Sequence, residues 1–390
     1  MNKNKTVLMI CSWLDYKLNL GSFFMEQAAI LSNEFNFVLI NFRPVKFKIK
    51  NYKKFFKIEK NIYENKISIL YLYYPSFKIL KNKYFLKWIE KKAFRVLHQY
   101  LKKDNITIDL IHAQSVFDAA FWALSYNQEY KTPYLLTEHN QFTLRNVDKQ
   151  KIKKLDMVLK KSKFNLVVSN DVIRQFATNY FFSDFINIGN TVDEKLFNNC
   201  NRMKSNFFEI ITVGAYAPIK NQIKALRALK IIDDLNYKNI RFTWIGINAW
   251  GNNCKEEVTN LIQSFNFKNI KIKVVETASK QEIVSALQKS DVFVFTSLCE
   301  TFGISPLEAL FTGVPVITTQ SGGVNEFINE ENGVIVPVKD FKAIAENIIK
   351  ILNNELKFNS ELISKNAIAS FGIKAFKEKI IPIYNKTINS

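Results

Sequence analysis

Residues 291–336 read DVFVFTSLCETFGISPLEALFTGVPVITTQSGGVNEFINEENGVIV. The apolar run Asp291–Thr296 is bounded by polar residues and reads as a buried strand. A loop through Ile304 follows, and then a helix start. Ser305 is placed to cap it, Pro306 suits the first helical position, and Glu308 stands where it could close a capping box. Val314–Thr318 and Val334–Val336 read as two more strands. Five of the chain's 11 glycines, Gly303, Gly313, Gly322, Gly323 and Gly333, fall in this stretch. Glycine lets a backbone turn with positive φ or approach a ligand closely. A strand, a glycine loop, a helix and a strand make the βαβ unit of a parallel sheet. The loop offers free backbone N–H groups at a helix N-terminus, which suits a phosphate.

The same alternation extends in both directions. Upstream, Val7–Cys11, Phe37–Asn41, Leu110–Ala113, Tyr134–Thr137 and Phe164–Ser169 read as strands, and Ser22–Leu31 reads as a helix. The Asn-rich stretch Ile186–Asn206 interrupts the pattern, which restarts with strands at Ile210–Gly214, Arg241–Gly246 and Lys271–Val275 and a helix at Asn221–Ile232. This predicts an α/β protein with two doubly wound Rossmann-like domains, residues 1–190 and 207–390, joined by a linker at 191–206. The helices at the C-terminal end are expected to pack back on the first domain. Ligands of open parallel sheets bind outside the carboxyl edges of the strands. The chemistry is therefore sought just after each strand, in a cleft between two such edges.

Composition narrows the class. With 390 residues, 47% hydrophobic, the chain can form two or three domains with cores, which excludes disorder as its main state. Cys11, Cys200, Cys254 and Cys299 are far apart, without metal-ligand or disulfide-scaffold spacing, and there are three histidines. No apolar run reaches the ~20 residues that span a bilayer. Asp15 and Lys17 come too early for a signal peptide, so a cytoplasmic, thiol-reduced protein is expected.

The net charge is +20, and residues 46–103 hold 17 Lys/Arg against Glu59, Glu64 and Glu90. Lysines alternate there with Phe47, Tyr52, Phe55, Phe56 and Trp88. Positions 85, 89, 93, 96, 97 and 100 form a helical apolar face within Tyr84–Leu101. The segment is expected to meet an anionic membrane surface. Nucleic acid is not expected, because the charge lies away from the glycine-rich stretch and no nucleic-acid motif is present.

The spaced series from Glu300 to Gly333 resembles glycosyltransferase family 4, the retaining nucleotide-sugar transferases of the GT-B fold. Glu300-Thr-Phe-Gly303 and Glu308 match its E-x-F-G-x-x-x-x-E, and Ala309 to Val316 match A-x-x-x-G-x-P-V. Ser321-Gly-Gly-Val-Asn-Glu326 and Asn332-Gly333 follow in order. The resemblance extends to Val213-Gly214 with Lys220-Asn221-Gln222, Asn190-Thr-Val-Asp193 with Phe197, and Gly21-Ser-Phe-Phe-Met-Glu-Gln27. It also takes in Asp109-Leu-Ile-His112-Ala113 and Leu136-Thr-Glu-His139. Residues 42–105 match no motif of the family.

The resemblance implies roles. Lys220 would neutralise the donor diphosphate, Glu308 would accept from the ribose hydroxyls, and Glu300 would hold the donor sugar. Thr301, Phe302, Gly303 and Ile304 would line the donor, with backbone N–H groups turned to sugar or phosphate. Gly214 and Gly21 would permit close approach. His139 would touch sugar or acceptor, while His112 stays open between packing and acceptor contact. No metal and no cofactor are implied, and the chain has no D-x-D motif. The donor would be a UDP- or GDP-sugar, and the acceptor a glycan or lipid-linked glycan at the inner face of the cell membrane. Ala215 departs from the pattern, since the family has Arg after this glycine. Asn248 departs too, at a second glycine of the loop after Gly246. Ala215 keeps open a catalytically weak subunit that binds a partner. A sugar-nucleotide epimerase is a further alternative.

Overall fold

The computed structural model describes residues 5–18, 20–64, 66–77, 83–145, 147–199, 205–248 and 253–390. They divide into two compact units: residues 1–168, 172–188 and 377–390 form unit 1, and residues 169–171 and 189–376 form unit 2.

Unit 1 runs β1 (Thr6–Cys11), α1 (Ser22–Ile30), β2 (Asn36–Lys46), β3 (Ile58–Tyr63), β4 (Ile67–Ser76), α2 (Lys83–Lys103) and β5 (Leu110–Gln114). It continues with α3 (Ala119–Tyr130), β6 (Tyr134–Glu138), α4 (Lys149–Lys161), β7 (Asn165–Val167), α5 (Asn170–Thr178, in this unit from residue 172) and β8 (Phe185–Asn187). The sheet order is β3-β4-β2-β1-β5-β6-β7-β8. All pairings are parallel except β3 with β4. The short connection from Tyr63 to Ile67 allows a hairpin but no crossover, so β3 runs antiparallel at the edge. β1, β5 and β6 are buried along their whole length, as strands covered on both faces must be.

Unit 2 runs β9 (Phe208–Val213), α6 (Ile223–Asp234), β10 (Ile240–Ile245), α7 (Lys255–Ser264), β11 (Ile270–Val275), α8 (Lys280–Leu287) and β12 (Val292–Phe295). There follow α9 (Ile304–Phe311), β13 (Val316–Thr319), β14 (Gly333–Val336), α10 (Phe341–Leu352) and α11 (Ser360–Phe371). Its parallel sheet has the order β11-β10-β9-β12-β13-β14, with the reversal between β9 and β12. That is the doubly wound arrangement whose ligands sit at the switch point. A core including Leu226, Leu229, Phe242, Trp244, Val292 and Val294 lies between sheet and helices.

The last helix, α12 (Ile373–Ile388), contributes residues 377–388 to unit 1. Tyr384 is fully buried there, and Lys377 pairs with Glu34 at 3.0 Å. The stretch read as a linker is packed rather than free-standing. Residues 191–199 belong to unit 2, with Val192 and Phe197 buried, while 200–204 lie outside the described residues.

The sequence reading assigns no elements to residues 46–83, and the apolar face of the helix after them departs from the one expected. The basic segment contains sheet: β4 pairs with β2 over nine residue pairs, from Val38 with Ser68 to Lys46 with Ser76. Ile69, Leu70, Tyr71 and Leu72 are core. The buried face of α2 is Ile89, Ala93, Phe94, Leu97 and Leu101, while Phe85, Val96 and Tyr100 are only half-buried. The face is rotated because Phe94 packs edge-on to Trp122 and Tyr126 of α3. Among the described residues no helix is long and apolar enough to cross a membrane.

Candidate functional site

In unit 2 the loops after β9 and β12 flank the switch point. Leu298 N–H donates to Ile219 O at 2.8 Å, and Thr296 Oγ1 donates to Lys220 O at 3.0 Å. These bonds latch the two loops together and fix the backbone that carries Lys220. Its Nζ lies 2.6 Å from Glu300 Oε1, with the two side chains 23% and 12% exposed. The ammonium also lies 5.6 Å from the centre of the Phe295 ring. So little exposure leaves the pair weakly screened, and an incoming anion would compete with Glu300 for the cation.

The loop after β13 holds Glu300 from the other side. Glu300 N–H donates to Ser321 O at 2.6 Å, and Gly323 N–H donates to Glu300 O at 2.9 Å. A Cβ at Gly323 would stand 2.0 Å from Thr301 O, so only glycine fits. Gly303 has φ +95 and forms the N-cap of α9 in the left-handed region.

That cap corrects the expected helix start. The helix begins at Ile304, and Ser305, already inside it, donates from Oγ to Val213 O at 3.2 Å. Pro306 sits in the first turn, where its missing N–H costs nothing. Glu308 therefore closes no box with Ser305. It is half-buried on α9, one helical turn beyond Ile304. Phe302 is buried and lies 5.2 Å from Phe327 and 5.9 Å from Phe371 between ring centres. Its side chain anchors the loop that carries Thr301, Gly303 and Ile304.

Gly214 O accepts from Trp244 Nε1 at 3.0 Å, and Ala215 O accepts from Gln222 Nε2 at 2.8 Å. Ala215 itself is buried. Asn248, at the other departure from the family pattern, acts as a loop brace. It accepts from Cys254 N–H at 2.8 Å and donates to Glu276 at 3.2 Å. Among the described residues, Asn221 Nδ2, Gln222 Oε1, Ser297 Oγ and Ser321 Oγ are buried polar atoms without a hydrogen-bond partner. All four lie on these loops. Such atoms are rare in folded proteins and mark places where water or a ligand completes the bonding.

In unit 1 the loops after β1, β5 and β6 hold the second group. Gly21 has φ +70 and caps α1, and a Cβ there would meet Trp13 O at 2.8 Å and Phe24 at 2.9 Å. The close approach brings Trp13, Phe23 and Phe24 around His139, with ring centres 6.5, 5.0 and 5.6 Å away. His139 is 9% exposed, and its Nε2 lies 2.6 Å from Gln114 Oε1. Burial lowers its pKa to about 3, so the ring is neutral. Glu138 accepts from the backbone N–H of Val116, His139 and Asn140, which ties the loops after β5 and β6 together. Burial raises Glu138 to about 7 against the pull of those three donors.

His112 is fully buried and bonded at both nitrogens, to Tyr384 Oη at 2.6 Å and Thr137 Oγ1 at 2.7 Å. Between packing and acceptor contact, the structure places it in the core. Gln114 and Gln27 were not singled out by the sequence as site residues. Gln27 ends the Gly21–Gln27 motif, and its Oε1 accepts from Gln114 Nε2 at 3.0 Å. That motif was the signal that could have revealed them.

Residues 194–369 match the family model of glycosyl transferases group 1. Over 164 residues the chain is 33% identical to the capsular polysaccharide biosynthesis glycosyltransferase CapM of Staphylococcus aureus, covering 42% of this chain and 41% of that one. Over 188 residues it is 26% identical to the UDP-Gal:alpha-D-GlcNAc-diphosphoundecaprenol alpha-1,3-galactosyltransferase of Escherichia coli, covering 47% and 46%. The matched stretch thus spans less than half the length of either relative. Among solved structures, sucrose-phosphate synthase from Thermosynechococcus elongatus is similar with a TM-score of 0.76 at 16% identity, covering 98% of this chain and 99% of that one. At that identity the likeness is one of fold, and it is the GT-B fold of two parallel-sheet domains.

Proposed function

We propose that this chain, a member of the glycosyl transferases group 1 family through residues 194–369, is a retaining, metal-independent hexosyltransferase. It moves a sugar from a nucleotide donor to a glycan or lipid-linked acceptor in the synthesis of a surface polysaccharide or glycolipid. The observation that carries the reading is the Lys220–Glu300 pair at 2.6 Å, on loops latched together at the switch point of the unit 2 sheet.

The roles follow from charge. Lys220 leaves Glu300 for the donor diphosphate and stabilises the charge that builds up as the nucleoside diphosphate departs. Glu300, released, accepts from the sugar hydroxyls, as an ionised carboxylate does. Glu308 accepts from the ribose. The backbone N–H groups around Gly303 meet phosphate or sugar. The acceptor hydroxyl attacks from the face that the diphosphate leaves, and His139 contacts the sugar. A UDP-sugar donor and a diphospholipid-linked acceptor are supported by the name of the Escherichia coli relative.

Ala215 leaves the diphosphate without the arginine that family 4 has at this place, so Lys220 and the α9 N-terminus carry the charge. Release of nucleoside diphosphate by the purified chain, from a panel of sugar nucleotides with lipid-linked acceptors, tests the reading. Turnover lost in Lys220→Ala supports it. Donor binding without turnover would favour the weak subunit that serves a partner.

The basic segment supports docking on an anionic membrane. Tyr52, Tyr84 and Trp88 are exposed, and Lys92 lies 5.2 Å from the Trp88 ring centre. Each lysine near an anionic surface contributes roughly 1 kcal/mol. Flotation with phosphatidylglycerol vesicles at moderate salt, absent with neutral vesicles, is the expected result. No flotation with either removes this part of the reading.

A further inference from the structure

The polar chain behind His139 determines which nitrogen of the ring can meet a ligand. Gln114 is fully buried and uses every part of its amide. Its Oε1 receives His139 Nε2 at 2.6 Å, and its Nε2 donates to Gln27 Oε1 at 3.0 Å and reaches His112 Nδ1 at 3.3 Å. A carbonyl oxygen only accepts, so His139 carries its proton on Nε2. The amide NH2 only donates, so His112 Nδ1 accepts. Tyr384 O–H, the nearer donor at 2.6 Å, takes that nitrogen's one lone pair, the 3.3 Å amide contact being the weaker, and His112 donates from Nε2 to Thr137 Oγ1. With the two amides in these orientations, this assignment of protons is consistent along the whole run from Tyr384 to His139.

We propose that Gln114 is the positioning residue for His139: it holds the imidazole neutral with Nδ1 as acceptor, so His139 receives a hydrogen bond from a sugar hydroxyl and gives none. This rests on the reading of His139 as a sugar contact. Gln27 orients the Gln114 amide, because its oxygen takes one of the NH2 protons and disfavours the flipped amide. The ionisable groups bonded to this network are His112 and Tyr384, and Glu138 receives the His139 backbone N–H. The aromatic rings of Trp13, Phe23 and Phe24 bring no charge to the imidazole.

The test is nitrogen NMR of the full chain labelled with 15N-histidine. With three histidines in the sequence, single His→Gln variants assign the signals. The expected result is a neutral His139 protonated on Nε2 throughout pH 5 to 8. In Gln114→Glu the carboxylate partner favours the charged ring, so His139 becomes an imidazolium at neutral pH. An Nδ1–H tautomer, or an imidazolium at pH 7 in the unaltered chain, overturns the proposal. If Gln114→Glu does not fold, the tautomer in the unaltered chain still decides. A merely structural Gln114 would leave the His139 tautomer mixed. Absence of sugar-nucleotide turnover would sink the transferase reading while this spectrum stood, so the two failures are distinguishable.

Discussion

The loops of unit 2 and those of unit 1 solve opposite problems with similar architecture. Each group sits on loops that follow parallel strands, and each is tied by bonds between neighbouring loops. Unit 2 places a charged pair there, Lys220 with Glu300, largely shielded from solvent. Unit 1 places a neutral chain there, His139, Gln114, His112 and Tyr384, almost entirely buried. An ion pair can exchange one partner for an arriving anion. A neutral network cannot hold a diphosphate, but it can present a single lone pair in a fixed direction. On the proposed reading, charge handling falls to unit 2 and orientation to unit 1.

The largest effect should come from breaking the charged side. Lys220→Ala is expected to lower turnover roughly 10²–10³-fold with a smaller change in donor affinity, since it removes a cation aimed at the leaving group. Steady-state release of nucleoside diphosphate measures this. Glu308→Ala is expected to weaken nucleotide binding roughly 10- to 100-fold, the worth of a hydrogen bond to a charged group. Calorimetric titration reads it, and unchanged affinity would remove Glu308 from the site.

Breaking the neutral side should cost stability instead. Tyr384→Phe leaves His112 without its O–H donor, for about 1–3 kcal/mol. Denaturant unfolding should show the loss, while nucleotide affinity stays the same. A large fall in affinity would mean that unit 1 takes part in binding the nucleotide and would blur the comparison.

The smallest effect concerns pH. His112 and His139 are lowered to about 3 by burial, so the unfolded chain binds their protons first as pH falls below 6.5. Their contribution is lost as pH falls. Glu138, raised to about 7, works in the opposite sense between about 4.5 and 7, because there the folded state binds the proton. These two histidines against Glu138 alone leave a net loss of about 1.4 kcal/mol per pH unit on acidification through pH 6 to 5, and His98, whose pKa burial also lowers, adds to the loss. Glu138→Gln removes the opposing contribution and should steepen the fall of melting temperature. A slope unchanged from the parent would show that Glu138 does not titrate in this range.

Much of the fold can be read from local pattern. The run Asp291–Thr296 and the glycine loop beyond it sit where periodicity puts them, within a residue or two at each end. Helix α9 starts earlier than capping rules suggest, because Gly303 in the left-handed region does the work expected of Ser305. The β3–β4 hairpin escapes a reading that weighs residues 46–103 by charge, although β4, ISILYLYYPS, is an apolar run without a lysine and β3 has only Lys60. His139 and His112 look alike in sequence, each following or ending an apolar strand. Only the bonds to Tyr384, 272 residues away, and to Thr137 show that His112 is core. The Lys220–Glu300 pair spans 80 residues, so its parts were legible and their union was not.

Unit 2 is proposed to bind a sugar nucleotide through Glu308 and Lys220. Thermal unfolding of the full chain with UDP-, GDP-, ADP- and CMP-sugars tests it most directly, since a ligand bound only by the folded state raises stability by about 2.7 kcal/mol at 100 times its Kd. A rise in melting temperature with one of these donors, lost in Glu308→Ala, is expected. No rise with any of them, or the same rise in Glu308→Ala, would contradict it.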